Sequence, residues 1–320
     1  MGAHQPRLEL ARDGRVGGEE TDPGPDLRFA CAVFGAHRIR CVRNERVASI
    51  MDYDHSLRFG IFPSPRADFL QECLRMARVA DEAGIELIGI QDHPYQRRFL
   101  DTWALMAFVL SRTDRVTVFP DVANLPLRPA RMMAKHAASL DLLSGGRFEL
   151  GLGAGAFWAG IEAMGGRTLS PRQSVDALEQ AIFELRDFWQ GDGKYDGPKP
   201  AHRIGIWIGA YKPRMLRITG ALGDGWVPSQ SYLPTEQVPD AMKRIDDAAA
   251  AEGRDPRDIR RLYNLLTDVP PTPERLADFA TELGFDSFIF SPADAHAVER
   301  LAHDVIPVVR EEVARRRSSR

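Results

Sequence analysis

The chain has 320 residues, of which 44% are hydrophobic and 27% charged, so it can bury a large core and fits one big α/β domain as well as two ordinary ones. A net charge of −3, with no Lys/Arg block beyond Arg315, Arg316 and Arg317, argues against a nucleic-acid partner. No apolar run reaches the roughly 18 residues that a membrane span needs, and three cysteines and eight histidines without CxxC, HExxH or HxH spacing point to no metal site.

Residues 1–27 are rich in Gly, Pro, Arg and Glu without periodicity and cannot bury enough apolar surface to offset their ordering entropy. Residues 29–34 have the look of an isolated strand, and the acidic Glu19, Glu20, Asp22 and Asp26 stand where a secretory signal would carry Lys or Arg, so a cytoplasmic protein is expected. Residues 1–50 therefore read as a disordered N-terminal extension and 51–320 as the folded domain, with Met51 the expected true start.

From Leu57 onward strand and helix alternate. Residues 57–62 form an apolar run ended by Pro63 and Pro65, and Phe69, Leu70, Cys73, Ala77 and Ala80 make a helical stripe that Gly84 terminates. A second strand at 86–90 exits through Gln91, Asp92 and His93; a helix at 103–110 precedes a third strand at 116–119, which leads into Asp121, Val122, Ala123 and Asn124. A helix carrying Ala130, Met133, Ala137 and Leu140 breaks at Gly145 and Gly146, and the fourth strand, 147–152, leaves through Gly151, Gly153 and Gly155.

Ser170, Pro171 and Gln173 form a capping box with Pro at N1, followed by Val175, Leu178, Ile182, Leu185 and Trp189 at helical spacing. Strands at 206–209, 225–228, 262–266 and 287–290 alternate with helices at 213–222, 239–251 and from Pro273, and a final helix breaks near Pro307. Eight βα units point to a closed (β/α)8 TIM barrel. The alternative, a Rossmann-like open sheet, needs GxGxxG between the first strand and its helix, whereas the glycines at 151–155 follow the fourth strand with no clear helix behind them.

A barrel places its site at the C-terminal ends of its strands. Read there, the chain offers Asp92 and His93, residues 121–124, Gly153 to Trp158, Gly209 to Lys212, Ser229, Gln230 and Asn264: a polar and aromatic rim with few charges. Glycines after a strand leave backbone bare for a flat or phosphorylated ligand, although they also serve simple turns.

Four segments carry a resemblance: Gln91-Asp92-His93; residues 124–129 (Asn-Leu-Pro-Leu-Arg-Pro); residues 140–155 (Leu-Asp-Leu-Leu-Ser-Gly-Gly-Arg-Phe-Glu-Leu-Gly-Leu-Gly-Ala-Gly); and residues 206–226, which open Ile-Trp-Ile-Gly-Ala-Tyr-Lys-Pro-Arg. In that order they resemble the bacterial-luciferase-like flavin-dependent oxidoreductases, a family of (β/α)8 barrels. The resemblance covers about residues 57–309.

It implies roles by position. A cis non-prolyl bulge against the flavin ring maps onto Asp121-Val122 or its neighbour, with Asn124 beside it; Gly153 and Gly155 would flank the ring or its ribityl chain; and Gly209, Ala210, Tyr211 and Lys212, ahead of Pro213, would bind the phosphate with free N–H groups, a helix dipole and one cation. Asp92 and His93 resemble the pair that members using the deazaflavin F420 place beside the cofactor and would be the catalytic residues, His93 as acid or base and Asp92 fixing its surroundings or the ring's polar edge. In related sugar-phosphate dehydrogenases an acid follows the glycines after strand four; here Ala156, Phe157 and Trp158 follow, and no Arg/Lys cluster suits a substrate phosphate, so Tyr95, Phe157 and Trp158 imply an apolar, aromatic substrate pocket.

Two chemistries stay open: hydride transfer with coenzyme F420 on an apolar small molecule, or oxygenation by reduced FMN as a monooxygenase. A non-catalytic ligand-binding barrel is a third class, because fold does not imply function. Family members commonly form homodimers through their outer helices.

Overall fold

Short apolar runs bounded by Gly and Pro fall into parallel strands buried on both faces. In the computed structural model, which describes residues 51–320 apart from Asp268, these are β1 (Arg58–Ile61), β2 (Leu87–Ile90), β3 (Thr117–Pro120), β4 (Ala123–Asn124), β5 (Leu150–Gly153), β6 (Ile206–Ile208), β7 (Gly225–Trp226), β8 (Arg260–Asn264) and β9 (Ser287–Phe290). The expectations for residues 1–50, including the isolated strand at 29–34, lie outside the described residues.

All the strands pair in parallel, in the order β3-β2-β1-β9-β8-β7-β6-β5-β4. The ring closes where the Val118 N–H donates to the Arg147 carbonyl at 3.0 Å and the Glu149 N–H to the Val118 carbonyl at 3.2 Å. The fold is thus an α/β barrel, not an open sheet. It has eight staves and nine strand segments, because the third stave is interrupted at the cis peptide Asp121-Val122: β3 pairs with β2, and β4 with β5.

Around the barrel run α1 (Leu70–Glu82), α2 (Thr102–Leu110), α3 (Ala130–Ser144), α4 (Trp158–Ala163), α5 (Pro171–Gln190), α6 (Pro213–Leu222), α7 (Val238–Ala251), α8 (Pro273–Thr281), α9 (Ala295–Arg300) and α10 (Ile306–Ser318). The capping box of α5 is complete: Ser170 Oγ accepts from the Gln173 N–H at 3.3 Å, and Gln173 Oε1 from the Ser170 N–H at 3.0 Å. Three expectations need correction. A short helix, α4, does follow the glycines of β5. β8 ends at Asn264 rather than 266, since Leu266 takes a positive φ of 48°. The break near Pro307 is a π-helical turn, Leu301–Val305, in a path that otherwise stays helical; Pro307 has no N–H to continue the α-helical ladder.

Much of residues 140–155 is architectural. Buried Asp141 accepts from the backbone N–H groups of Ala201 and His202 and from His202 Nδ1, holding the segment ahead of β6. Arg147 donates to the carbonyls of Leu110, Val116 and Ser144, fastening the start of the fourth stave to the third. Gly151 has no room for a side chain: a Cβ there would lie 2.0 Å from the Pro120 carbonyl oxygen. Inside the ring, Leu87, Phe119, Trp207, Val227, Leu262 and Ile289 form a cluster that packs upward against Phe62 and Val122. That packed plug leaves open space at the C-terminal mouth.

Candidate functional site

A cavity of about 1240 Å³ opens at that mouth, and all but two of the residues expected at the site line it. The exceptions are Ala210, which is buried and whose carbonyl accepts the Trp226 indole N–H at 2.9 Å, and Gln230, whose N–H donates to the Asn264 carbonyl at 2.9 Å. The side chain of Val122 forms a wedge at the cavity floor. A Cβ on Gly153 would lie 2.6 Å from Val122 Cγ2 and one on Gly209 3.3 Å from the same atom, so both glycines leave a bare shelf around the wedge. Gly155, at φ +90°, turns the chain away against Pro126.

Beside the wedge lie three buried oxygens with no hydrogen-bond donor among the described residues: Asp121 Oδ2, Asn124 Oδ1 and Asn264 Oδ1. Asn264 Nδ2 donates to the other oxygen of Asp121 at 2.9 Å. Burial pushes the Asp121 carboxyl up to about 7, against the opposing pull of that hydrogen bond.

One wall is aromatic. His93 stacks on Tyr95 with ring centroids 5.4 Å apart, and Phe157 meets His93 edge-on at 5.6 Å and Tyr95 at 5.9 Å. Trp158 continues this wall as the first residue of α4. Burial lowers the pKa of His93, with the Asp92 charge opposing, and pushes the Tyr95 phenol up to about 12. Across the mouth Tyr211 and Tyr232 pack edge-on at 5.7 Å, and the Tyr211 hydroxyl accepts the Ser229 N–H at 3.0 Å.

Asp92 is placed differently from the expectation of a catalytic group. It is fully buried, and both oxygens are engaged: Arg128 donates Nε to Oδ2 at 2.9 Å and Nη2 to Oδ1 at 3.0 Å, and the Asn124 N–H donates to Oδ2 at 3.0 Å. Arg128 also donates to Asp101, the N-cap of α2, at 2.7 Å. Asp92 therefore ties strand ends together and holds the backbone of Asn124, with both oxygens taken up by these contacts.

The opposite end of the cavity is cationic. Lys212 sits at the N-cap of α6, exposed and without an ion pair among the described residues. Arg172, from the first turn of α5, and Arg214, which pairs with Asp176 and Glu179, line the cavity near it. The expected scarcity of charge on the rim is thus corrected at this end. Arg172 escapes a reading of strand ends because α5 follows a long excursion after β5. Among the described residues no group of three or more His, Cys, Asp or Glu could hold a metal ion, and no helix is long and apolar enough to cross a membrane.

Comparison with known proteins agrees with this geometry. Residues 51–313 match the family model of the luciferase-like monooxygenases. The chain is 32% identical over 212 residues to a 5,10-methylenetetrahydromethanopterin reductase of Methanolobus tindarius, covering 63% of this chain and 62% of that one. It is 31% identical over 178 residues to a phthiodiolone/phenolphthiodiolone dimycocerosates ketoreductase of Mycobacterium sp. (strain JLS), covering 50% of this chain and 46% of that one. The matches thus span less than two thirds of either relative's length.

Among solved structures, an F420-dependent secondary alcohol dehydrogenase in complex with an F420-acetone adduct superposes with a TM-score of 0.68 at 18% identity, covering 80% of this chain and 99% of that one. The monooxygenase RslO1 from Streptomyces bottropensis does so with a TM-score of 0.64 at 19% identity, covering 82% and 100%. At such identities these two likenesses speak for the barrel alone. The family match over most of the chain, on a barrel whose mouth carries the glycine shelf and the cis peptide, makes this chain a member of the luciferase-like monooxygenase family.

Proposed function

We propose that the barrel is a flavin-dependent oxidoreductase that transfers hydride between coenzyme F420 and an apolar small molecule. The observation that carries this is the shelf of Gly153 and Gly209 around the Val122 wedge, flanked by three donorless oxygens and running toward the start of α6. A flat ring with polar N–H groups fits such a shelf, and a phosphate fits the free N–H groups and dipole of α6. An F420-dependent dehydrogenase stands among the proteins that share this barrel, and F420 is accordingly the first reading, ahead of FMN.

Bound there, F420 would supply the hydride chemistry. The chain's own residues do the rest. Gly153, Gly155 and Gly209 admit the ring, Lys212 pairs with its phosphate, and Asp92 with Arg128 keeps the Asn124 backbone in place. His93, kept largely neutral by its burial, takes or returns the substrate's proton. Tyr95, Phe157 and Trp158 hold an apolar substrate and exclude water.

The RslO1 likeness favours a second reading, an FMN-dependent monooxygenase on the same shelf. Exposed Phe108 and Met132, with Leu143 at 84% exposure, on α2 and α3 offer an apolar face for a homodimer.

Lys212→Ala should weaken cofactor binding by one charge-assisted contact, about 1.5–3 kcal/mol or roughly 10- to 150-fold in Kd. A fluorescence titration of wild type and variant with each cofactor checks this, and an unchanged Kd would put the phosphate elsewhere.

A further inference from the structure

Three acidic side chains line the cavity: Asp92, Asp121 and Asp176. Asp92 is tied to Arg128 and Asp176 to Arg214, which leaves Asp121 as the one carboxyl of the three with no cation partner among the described residues. It is 8% exposed, and among the described residues it receives a single hydrogen bond, from the neutral amide of Asn264, and keeps Oδ2 without a partner.

The groups that face it bring no compensating charge within hydrogen-bond reach. At the end of β2 stand Asp92, already neutralised by Arg128, and His93; at the end of β6 stand Tyr211 and Lys212; at the end of β8 stands Asn264, the one side chain that bonds it. A carboxylate in such a place is costly, whereas the neutral acid is not. Burial accordingly pushes Asp121 up to about 7. Neutral Asp121 carries one hydroxyl hydrogen, and the two nearby amide oxygens, Asn124 Oδ1 and Asn264 Oδ1, mark a polar strip at the cavity floor.

We propose that Asp121 is the proton-holding residue of this pocket, neutral and donating from Oδ2 to an acceptor on a seated ligand, and ionised when the open site meets alkaline solvent. The ligand in question is the cofactor, so the proposal rests on the function given above. The proton balance is simple. Above neutrality the site holds a carboxylate, and seating an acceptor atom of the ring against that buried oxygen favours the neutral acid, so binding draws one proton from the buffer onto Asp121. Ligand affinity then falls with rising pH above the Asp121 midpoint, by at most about tenfold per pH unit, and is insensitive to Asp121 below it.

Two measurements test this. The first needs no ligand: with aspartate labelled at Cγ with ¹³C, the resonance missing from Asp121→Asn should titrate in the wild type near neutrality, and Asn264→Ala, which removes the one donor that favours the carboxylate, should move it higher. The second is calorimetry of FMN and of F420 binding above pH 7, in buffers of different ionisation enthalpy. His93 and the ligand's own groups titrate in both proteins, so the proton uptake present in the wild type and lost in Asp121→Asn belongs to Asp121.

A ligand-free midpoint in the ordinary carboxylate range, about 4, overturns the proposal, as does cofactor binding with equal proton uptake in both proteins. A midpoint near neutrality with neither cofactor binding overturns the proposed function instead, and supports the proton-holding assignment of Asp121 by itself.

Discussion

Replacing Arg128 with leucine should destabilise the folded chain by about 3–5 kcal/mol, the usual cost of leaving one partner of a buried ion pair uncompensated. Asp92 is fully buried and takes two of its three hydrogen bonds from this one guanidinium. Leucine fills part of the space but leaves the carboxylate with the Asn124 N–H as its one remaining donor among the described residues, and it also withdraws the contact to Asp101 that steadies the start of α2. The midpoint of denaturant unfolding, at unchanged slope, reads the loss. The double change Asp92→Asn with Arg128→Leu should recover much of it, because the two residues are coupled and the charge itself is then gone. A loss for Arg128→Leu below about 1 kcal/mol, the range of an exposed pair, would show that Asp92 finds other compensation.

His93→Ala should leave cofactor binding within a few-fold and lower turnover by about 10²–10⁴, the range of a removed proton-transfer group. His93 is half-buried, stacked on Tyr95, and faces the same cavity as the glycine shelf. Its pKa is lowered, chiefly by burial, so the neutral imidazole is the resting form at neutral pH. In the direction that removes a proton from the substrate, the rate should therefore be flat at neutral pH and fall as pH drops through that lowered value. The variant should lose both the rate and this acid limb. Turnover that survives with an unchanged pH profile would make His93 a piece of the aromatic wall only.

The alternation of apolar runs with Gly and Pro punctuation was enough to read eight βα units, and Ser170, Pro171 and Gln173 were enough to place the start of α5. Local patterns carry that information because capping, turns and burial act over a few residues. What the sequence could not show depends on partners brought together by the fold. Arg128 and Asp92 stand 36 positions apart, and His202 and Asp141 stand 61 apart, so no spacing rule links them. The Arg128 partner of Asp92 was hidden for that reason, and Arg172 did not look like a neighbour of Lys212. Which residues of a strand end reach the cavity was equally hidden: Ala210 is buried with its carbonyl on the Trp226 indole N–H, while Gly209 and Tyr211 on either side of it line the cavity. Asp121 was legible as the bulge position by resemblance, but its lack of a cation partner among the described residues was not.

The most direct test of the account is a binding titration of the purified chain with F420 and with FMN, each oxidised and reduced, followed by the cofactor's absorbance and fluorescence. One equivalent of F420 should bind more tightly than FMN, and Gly209→Leu, whose side chain would fill the shelf beside Val122, should abolish it. Failure of both cofactors to bind a folded wild-type chain, or full binding by Gly209→Leu, would contradict a flavin site at this mouth of the barrel.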